Sequence, residues 1–522
     1  MPTQSEESDA PHSQTAVAHL STRSQEILAR IQAFRAFDAP THGGRVLSYV
    51  YDTGIEEIDE LAAHAAKIVQ PINGLDPTAF PSVAIMERDL LGFVRTALNG
   101  GEDVFGNVTT GGTESCLLAV KTARDVWRKG KTSHAIGRIV APRTVHAAFH
   151  KAAEYFDLIL DLVDVDPTTG EVSPQDIIDR LGDDVAVVVL SAPNYPYAQL
   201  DPIEVVAQET LTRGIPLHVD ACIGGLALPW WEDLDQAWDF RVPGVTSISA
   251  DLHKYGYAPK GVSVLLQRGA DRHRAQYFAV TQWPGYPVVN PTLLGSKSAG
   301  PIASAWAIVQ FLGEEGFAEL VRRTQQATRT LIEQLGAIEG LRIQGTPTGP
   351  LFALVEDENV PAERRVNPHL LVDQVRTFGW TLQSQPGLIQ DNGSSLPQSA
   401  HLTLTPVIAD KVDDIITAVK AAADAVRGKP GHLRSVQIRQ DIETVVAALG
   451  QYGVAENGAG IDALPVEAIH MILKSMGIDP ANGELPGELA ELMAYAQLMP
   501  SPIAQRLLTE VLALVVTPTA AQ

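Results

Sequence analysis

From residue 85 to residue 270 short apolar runs alternate with amphipathic stretches, and this rhythm constrains the fold more than anything else in the chain. "RIVAP" (Arg138 to Pro142) precedes "HAAFHKAAEYF". "VAVVVLSAP" (Val185 to Pro193) precedes "PIEVVAQETLTRG", which leads into "IPLHVDAC" (Ile215 to Cys222). Apolar runs of this length read as strands, and helical periodicity between them supplies cover for both faces of a sheet. The pattern predicts an α/β fold with a mostly parallel sheet. In such sheets ligands bind beyond the carboxyl ends of the strands, so the polar residues there carry the functional reading.

The chain has 522 residues, about three times a typical domain, so more than one lobe is expected. Residues 1–15, "MPTQSEESDAPHSQT", read as a disordered tail and residues 16–84 as an N-terminal helical segment. The large domain is expected over 85–314 and a smaller α+β domain over 315–426, where strands near "PLFALVE" and "SAHLTLTP" precede the helix "KVDDIITAVKAAADAV". "RGKPGH" reads as a linker, and 432–522 as a helical C-terminal extension. With 45% hydrophobic and 19% charged residues the chain has the composition of an ordinary globular protein rather than a disordered one.

A net charge of −23, from 39 basic and 62 acidic residues, argues against nucleic acid or an anionic membrane as partner. No apolar run approaches the roughly 20 residues of a membrane helix, and the start lacks the basic and apolar regions of a secretion signal. The only cysteines, Cys116 and Cys222, are too few for a disulfide framework or a cysteine zinc site. A cytoplasmic protein without metal is therefore expected.

Four features then stand at strand ends or helix starts of the large domain. In "NVTTGGTESCLLAVKTARD", Gly111 and Gly112 precede a helix, whose first N–H groups are unsatisfied donors suited to a phosphate. The plain reading is a turn capped by Thr113 or Ser115. Asp220 ends the strand "PLHVD", where a buried carboxylate needs a cation or donors. A protonated pyridine nitrogen would serve, and so would a capping role before Gly224 and Gly225. His146 in "PRTVHAAF" would lie against an aromatic ring or cap the next helix. Lys254, in "VTSISADLHKYGYAPKG", is a solvated strand-end lysine or a reactive amine whose pKa burial lowers. Each feature alone has a bland reading. Together they supply the phosphate cradle, stacking group, ring-nitrogen partner and Schiff-base lysine that pyridoxal 5'-phosphate requires.

The order "GGTES", "HAAF", "HVDA", "SADLHKYGYAPKG" resembles the group II pyridoxal-phosphate decarboxylase family, and within it the sphingosine-1-phosphate lyase branch, from about Val46 to about residue 425. The resemblance implies a type I (aspartate aminotransferase-like) fold and a homodimer with shared active sites. It assigns Lys254 as the cofactor lysine, Asp220 as the pyridinium partner and His146 as the stacking residue. Gly112, Thr113 and His253 match phosphate-binding positions, and Gly295 and Ser296 match a loop that reaches the neighbouring subunit's cofactor. Tyr51 and Lys260 match positions near the reacting group and the substrate phosphate, with Tyr195 and Tyr197 as further site-lining candidates.

The implied activity is carbon–carbon cleavage of a β-hydroxy amine by a retro-aldol step, with amino-acid decarboxylation as the alternative. A catalytically silent scaffold using its helical tail is the alternative from another class. The sequence departs from the family in "NGLDPTAFP" (Asn73 to Pro81), where Asp76 replaces a histidine that helps hold the substrate phosphate. It departs again at Lys297, Ser298 and Ala299, where the family has Arg, Pro, Gly. An aspartate facing a phosphate would repel it, so Asp76 is expected to shift preference toward an amine or amino acid lacking phosphate.

Overall fold

A computed structural model describes residues 21–132, 135–475 and 489–518. The expected disordered tail lies outside these residues. The chain divides at Thr41. Before it stands one helix, α1 (Thr22–Arg35), whose N-terminus is capped by Ser21, the hydroxyl accepting the Ser24 N–H at 3.2 Å.

Everything from His42 onward forms the second unit. Helices α2 (Glu56–Ile68) and α3 (Pro81–Ala97) lead into the alternation read from the sequence. Its elements are β1 (Val104–Thr109), α4 (Gly112–Arg128), β2 (Arg138–Pro142), α5 (Ala147–Phe156), β3 (Ile159–Val163), α6 (Pro174–Ile178), β4 (Val185–Ser191), α7 (Ile203–Arg213), β5 (Leu217–Asp220), β6 (Val245–Ala250) and β7 (Ser263–Arg268). The seven strands lie in the order β1-β7-β6-β5-β4-β2-β3. Neighbours from β6 through β3 are parallel, whereas β7 runs antiparallel to both β6 and β1. The sheet is mostly parallel, as the rhythm requires. All seven residues of β4, "VAVVVLS", are buried. Covering both faces of such a strand contributes roughly 1.5–3 kcal/mol per large apolar side chain.

Helix α8 (Ala270–Gln276) and the hairpin β8 (Phe278–Val280) with β9 (Val288–Asn290) follow. Then α9 (Gly300–Gly336) runs from the first core into the second, interrupted at Gly313, whose φ of 55° breaks helical geometry. The elements after it are β10 (Leu341–Ile343), β11 (Leu351–Glu356), α10 (Pro368–Arg376), β12 (Gln383–Gln385), β13 (Leu388–Ile389), β14 (Ser395–Leu396), β15 (Ser399–Thr403) and α11 (Val412–Val426). Of these strands, four form an antiparallel sheet ordered β10-β11-β15-β12. The helices α12 (Val436–Gly450), α13 (Val466–Ser475), α14 (Leu489–Leu498) and α15 (Ser501–Val515) close the chain around a separate apolar core that includes Ile442, Ile469 and Ile503. No described helix is long and apolar enough to cross a membrane.

One short segment joins the first two cores. Leu47 donates its N–H to Thr381 O and accepts from Thr403 N–H, both at 2.8 Å, and its side chain belongs to the core of the small sheet. Four residues later Tyr51 packs against the core of the large sheet.

Candidate active site

The carboxyl ends of β5 and β6 and the start of α4 open onto one cleft of about 600 Å3. Lys254, Asp220, His146, Gly112, Thr113, His253, Tyr51, Lys260 and Tyr195 all line it. Local structure explains their placement. β5 stops at Asp220 because the chain turns tightly through Gly224, where a Cβ would come within 2.0 Å of Ala192 O. Asp220 Oδ1 accepts the Cys222 N–H at 3.1 Å and the Ser249 hydroxyl at 3.4 Å. His146 is the N-cap of α5, its Nδ1 accepting the Ala148 N–H at 3.2 Å. The imidazole therefore performs the capping role and lines the cleft as well, with the proton on Nε2.

No side chain caps α4. Its Gly112 leaves room for two buried side chains: a Cβ there would lie 2.6 Å from Asp251 Oδ2 and 2.9 Å from Cys222 Sγ, and one of them would have to shift. Glu114, buried in the first turn, accepts from Thr110 N–H at 2.5 Å and Thr110 Oγ1–H at 2.6 Å, and from Leu293 N–H at 2.6 Å. One carboxylate thus ties the start of the cradle to the loop of residues 291–299.

Lys254 Nζ lies 3.0 Å from Asp251 Oδ2, and His253 Nε2 lies 3.4 Å from the same oxygen. Burial alone would lower the lysine pKa, which is the effect expected from the sequence. Asp251, with Tyr51, Cys222 and Asp220, outweighs it and holds the amine well above its ordinary value. Without cofactor the lysine is an ammonium in an ion pair, not a free amine. Asp251 is held below the usual carboxylate range: burial would raise it, but Lys254 and His253 prevail.

Lys260 is exposed as a residue, yet its ammonium stands 4.4 Å from the centroid of the Tyr51 ring and donates to His253 O at 3.0 Å. Desolvation of that ammonium and the charge of Lys254 push its pKa down to about 8. The Tyr51 hydroxyl is pushed up by burial and stays protonated, although Lys254 pulls the other way. Tyr195 donates to Gln383 Oε1 at 2.5 Å and packs against His401 with ring centroids 4.4 Å apart and the planes tilted by 34°.

Four candidates lie elsewhere. Tyr197 is buried in the core over Gly170, where a Cβ would come 2.6 Å from its ring, so it lines no part of the cleft. Asp76 is exposed and engaged in a turn: Oδ1 accepts from Thr78 N–H at 2.8 Å and Thr78 Oγ1–H at 2.6 Å. The Thr78 hydroxyl and then its N–H hold that carboxyl below the usual range. Gly295 and Ser296 are exposed on the neighbouring loop. That loop and the Asp76 segment are paired, since Gly74 N–H donates to Lys297 O at 2.8 Å and Asn73 bridges Ser298. Lys297 is buried beneath the loop, donating to Val108 O at 2.7 Å and pairing with Glu87.

Asp251 and Gln383 are among the cleft residues that escaped the sequence reading, as is Glu114. Asp251 is signalled by its spacing, three residues before Lys254 in "SADLHK". Gln383 comes from β12 of the small sheet and had no local signal.

These residues fit pyridoxal phosphate. The uncapped α4 N-terminus and the cradle that a Cβ would fill suit its phosphate. Asp220, with both donors on one oxygen, has acceptor capacity for a pyridinium N–H. Lys254 is the amine for its aldehyde, and His146 lines the same cleft.

The comparisons with known proteins agree. Residues 58–343 match the family model described as the pyridoxal-dependent decarboxylase conserved domain. The sphingosine-1-phosphate lyase of Dictyostelium discoideum is 35% identical over 383 residues, which is 73% of this chain and 69% of that protein. The Drosophila melanogaster enzyme of the same name is 34% identical over 449 residues, 84% of this chain and 76% of that protein. The structure of a Burkholderia pseudomallei sphingosine-1-phosphate lyase superposes with a TM-score of 0.69 at 29% identity, covering 80% of this chain and 93% of that one. The chain belongs to the pyridoxal-dependent decarboxylase family, as a pyridoxal-phosphate-dependent lyase of the type I fold.

Proposed function

We propose that the protein cleaves the carbon–carbon bond of a phosphorylated β-hydroxy amine, releasing an aldehyde and a smaller phosphorylated amine. The observation that carries this reading is Lys260, a cation below about pH 8 placed 4.4 Å over the Tyr51 ring at the edge of the cleft. It suits a substrate phosphate. Asp76, expected to repel that phosphate, is engaged in its own turn outside the cleft of its chain, so the argument for an unphosphorylated substrate has no support within one subunit.

Pyridoxal phosphate, when bound, supplies an electron sink for the pair left by the breaking bond. The protein's groups do the rest. Asp220 would hold the ring nitrogen, Gly112, Thr113 and His253 the phosphate, and Lys254 the aldehyde. Lys254 Nζ, once the substrate amine has displaced it, would take the proton that the β-hydroxyl loses as the aldehyde forms, and Tyr51, whose hydroxyl stays protonated, would return a proton at its Oη to the carbon left behind.

The functional unit in this reading is a homodimer with shared sites. Asp76, Gly295 and Ser296 support it, because they lie exposed on two paired segments and line no part of the cleft of their own chain. The two free thiols suit a reducing cytoplasm.

The test is mass spectrometry of products from cofactor-loaded protein given a phosphorylated β-hydroxy long-chain amine. A fatty aldehyde with phosphoethanolamine is expected. Carbon dioxide from an amino-acid panel, with no aldehyde, would replace this reading with decarboxylation.

A further inference from the structure

Two cysteines alone make a poor metal site, but the fold adds a carboxylate. Cys116 in α4 and Cys222 just after β5 place their sulfurs 3.9 Å apart. An Asp220 oxygen completes a set of three ligand atoms within 4.8 Å of one another. All three residues are buried, yet each lines the cleft, so a small ion reaches them from there.

The spacing discriminates between the two kinds of chemistry open to paired thiols. A disulfide needs sulfurs about 2 Å apart, which would pull α4 and the turn after β5 together. Zinc–sulfur bonds of about 2.3 Å at a tetrahedral angle put two sulfurs about 3.8 Å apart, the separation already present. Outer contacts suit a ligand set as well. The Ser249 hydroxyl stands 3.4 Å from Asp220 Oδ1, 3.3 Å from Cys222 Sγ and 3.2 Å from His218 Nε2, an arrangement that orients a carboxylate and a thiolate together.

We propose that the cofactor-free protein binds one thiophilic divalent cation, of which zinc is the physiological example, through Cys116, Cys222 and Asp220, with water in the fourth position facing the cleft. Binding breaks two S–H bonds, releases two protons to solvent and forms two metal–sulfur bonds; no oxidant or reductant is needed. Two thiolates and a carboxylate leave one net negative charge around the ion, which faces Lys254. Asp220 is also the ring-nitrogen partner in the cofactor assignment, on which this part of the proposal rests. Metal and pyridoxal phosphate therefore exclude each other, and the ion governs how much protein can be loaded.

Cadmium is the probe, because its thiolate bonds absorb in the ultraviolet. Full-length protein stripped of cofactor is expected to bind one cadmium per chain and to take up pyridoxal phosphate only as the metal is withdrawn by a chelator. Cys116→Ser and Cys222→Ser each should weaken binding by at least about 100-fold, since loss of even an outer partner costs roughly 10- to 100-fold. The unmutated protein decides the matter even where a variant folds poorly, because loading it with cofactor first should abolish the absorption. Absence of the band, or unchanged affinity in a well-folded Cys222→Ser protein, overturns the metal site and leaves the cofactor assignment standing. Equal cadmium binding by stripped and loaded protein overturns the exclusion and the role of Asp220 with it.

Discussion

Replacing Asp251 by asparagine tests whether one buried carboxylate sets the protonation of the cofactor lysine. Asp251 Oδ2 and Lys254 Nζ are 3.0 Å apart. At an effective dielectric constant near 20, unit charges at that distance attract by about 5 kcal/mol. The lysine side chain keeps 23% of its exposure, so solvent screens part of this and about 3 kcal/mol is the working value. The signs follow from the two shifts. The lysine pKa is raised in the folded protein, so its share of the stability is full below the unfolded value and disappears as pH climbs through the folded one. The aspartate pKa is lowered, so its share is full above the unfolded value and disappears on acidification through the folded one. In Asp251→Asn the burial of Lys254 is opposed only by weaker neighbours, and the amine sheds its proton closer to neutrality. Since only the neutral amine attacks an aldehyde, the pH midpoint for the rate of cofactor uptake by stripped protein should fall once Asp251 no longer holds the proton. Denaturant unfolding of the same protein should show a loss of about 3 kcal/mol near neutral pH that shrinks as pH rises. An unchanged midpoint refutes the reasoning, because another group would then be holding the proton.

Gly112→Ala drives a methyl group to 2.6 Å from Asp251 Oδ2, and a cost of about 1–3 kcal/mol with weaker cofactor retention is expected in unfolding and uptake measurements. Lys260→Met removes the cation that is lost in the natural protein as pH rises past about 8. The kcat/KM for a phosphorylated substrate should accordingly decline above that pH in the natural protein, and the decline should vanish in the variant. Glu114→Ala leaves the Thr110 and Leu293 N–H groups without their acceptor, at about 1–3 kcal/mol for each that stays buried. Hydrogen exchange at residues 293–296 should accelerate in that protein, and unchanged exchange would mean the loop is held by its other contacts, at Lys297 and at the Asn73–Ser298 bridge.

The fold was legible because burial on both faces of a strand is a local property. "VAVVVLS" carries no polar alternation whatever surrounds it, and every one of its residues is covered. The site was legible to the extent that motifs sit at strand ends: His146, Asp220 and Lys254 were each readable from the few residues beside them. The protonation of Lys254 was not, because the sequence reading weighed burial without the carboxylate three residues earlier. Tyr195 and Tyr197 share one short motif, and only the turn between them decides that the first reaches the cleft while the second enters the core over Gly170. Gln383 stands on a different sheet, and a long-range meeting of that kind leaves no trace in local spacing. The same limit hid Asp220 from the cysteine count, since spacing alone does not bring α4 beside the end of β5.

The segment from Leu47 to Tyr51 has a consequence for how the protein fails when heated. Leu47 is an interior residue of the small lobe, and Tyr51 is a working residue of the cleft, four positions away on the same strand of chain. If the small lobe melts first, it carries Tyr51 out of the cleft while the large sheet, with Lys254 and Asp220, is still intact. Thermal inactivation would then run ahead of cofactor release, leaving a warm protein that keeps its colour after it has lost its turnover.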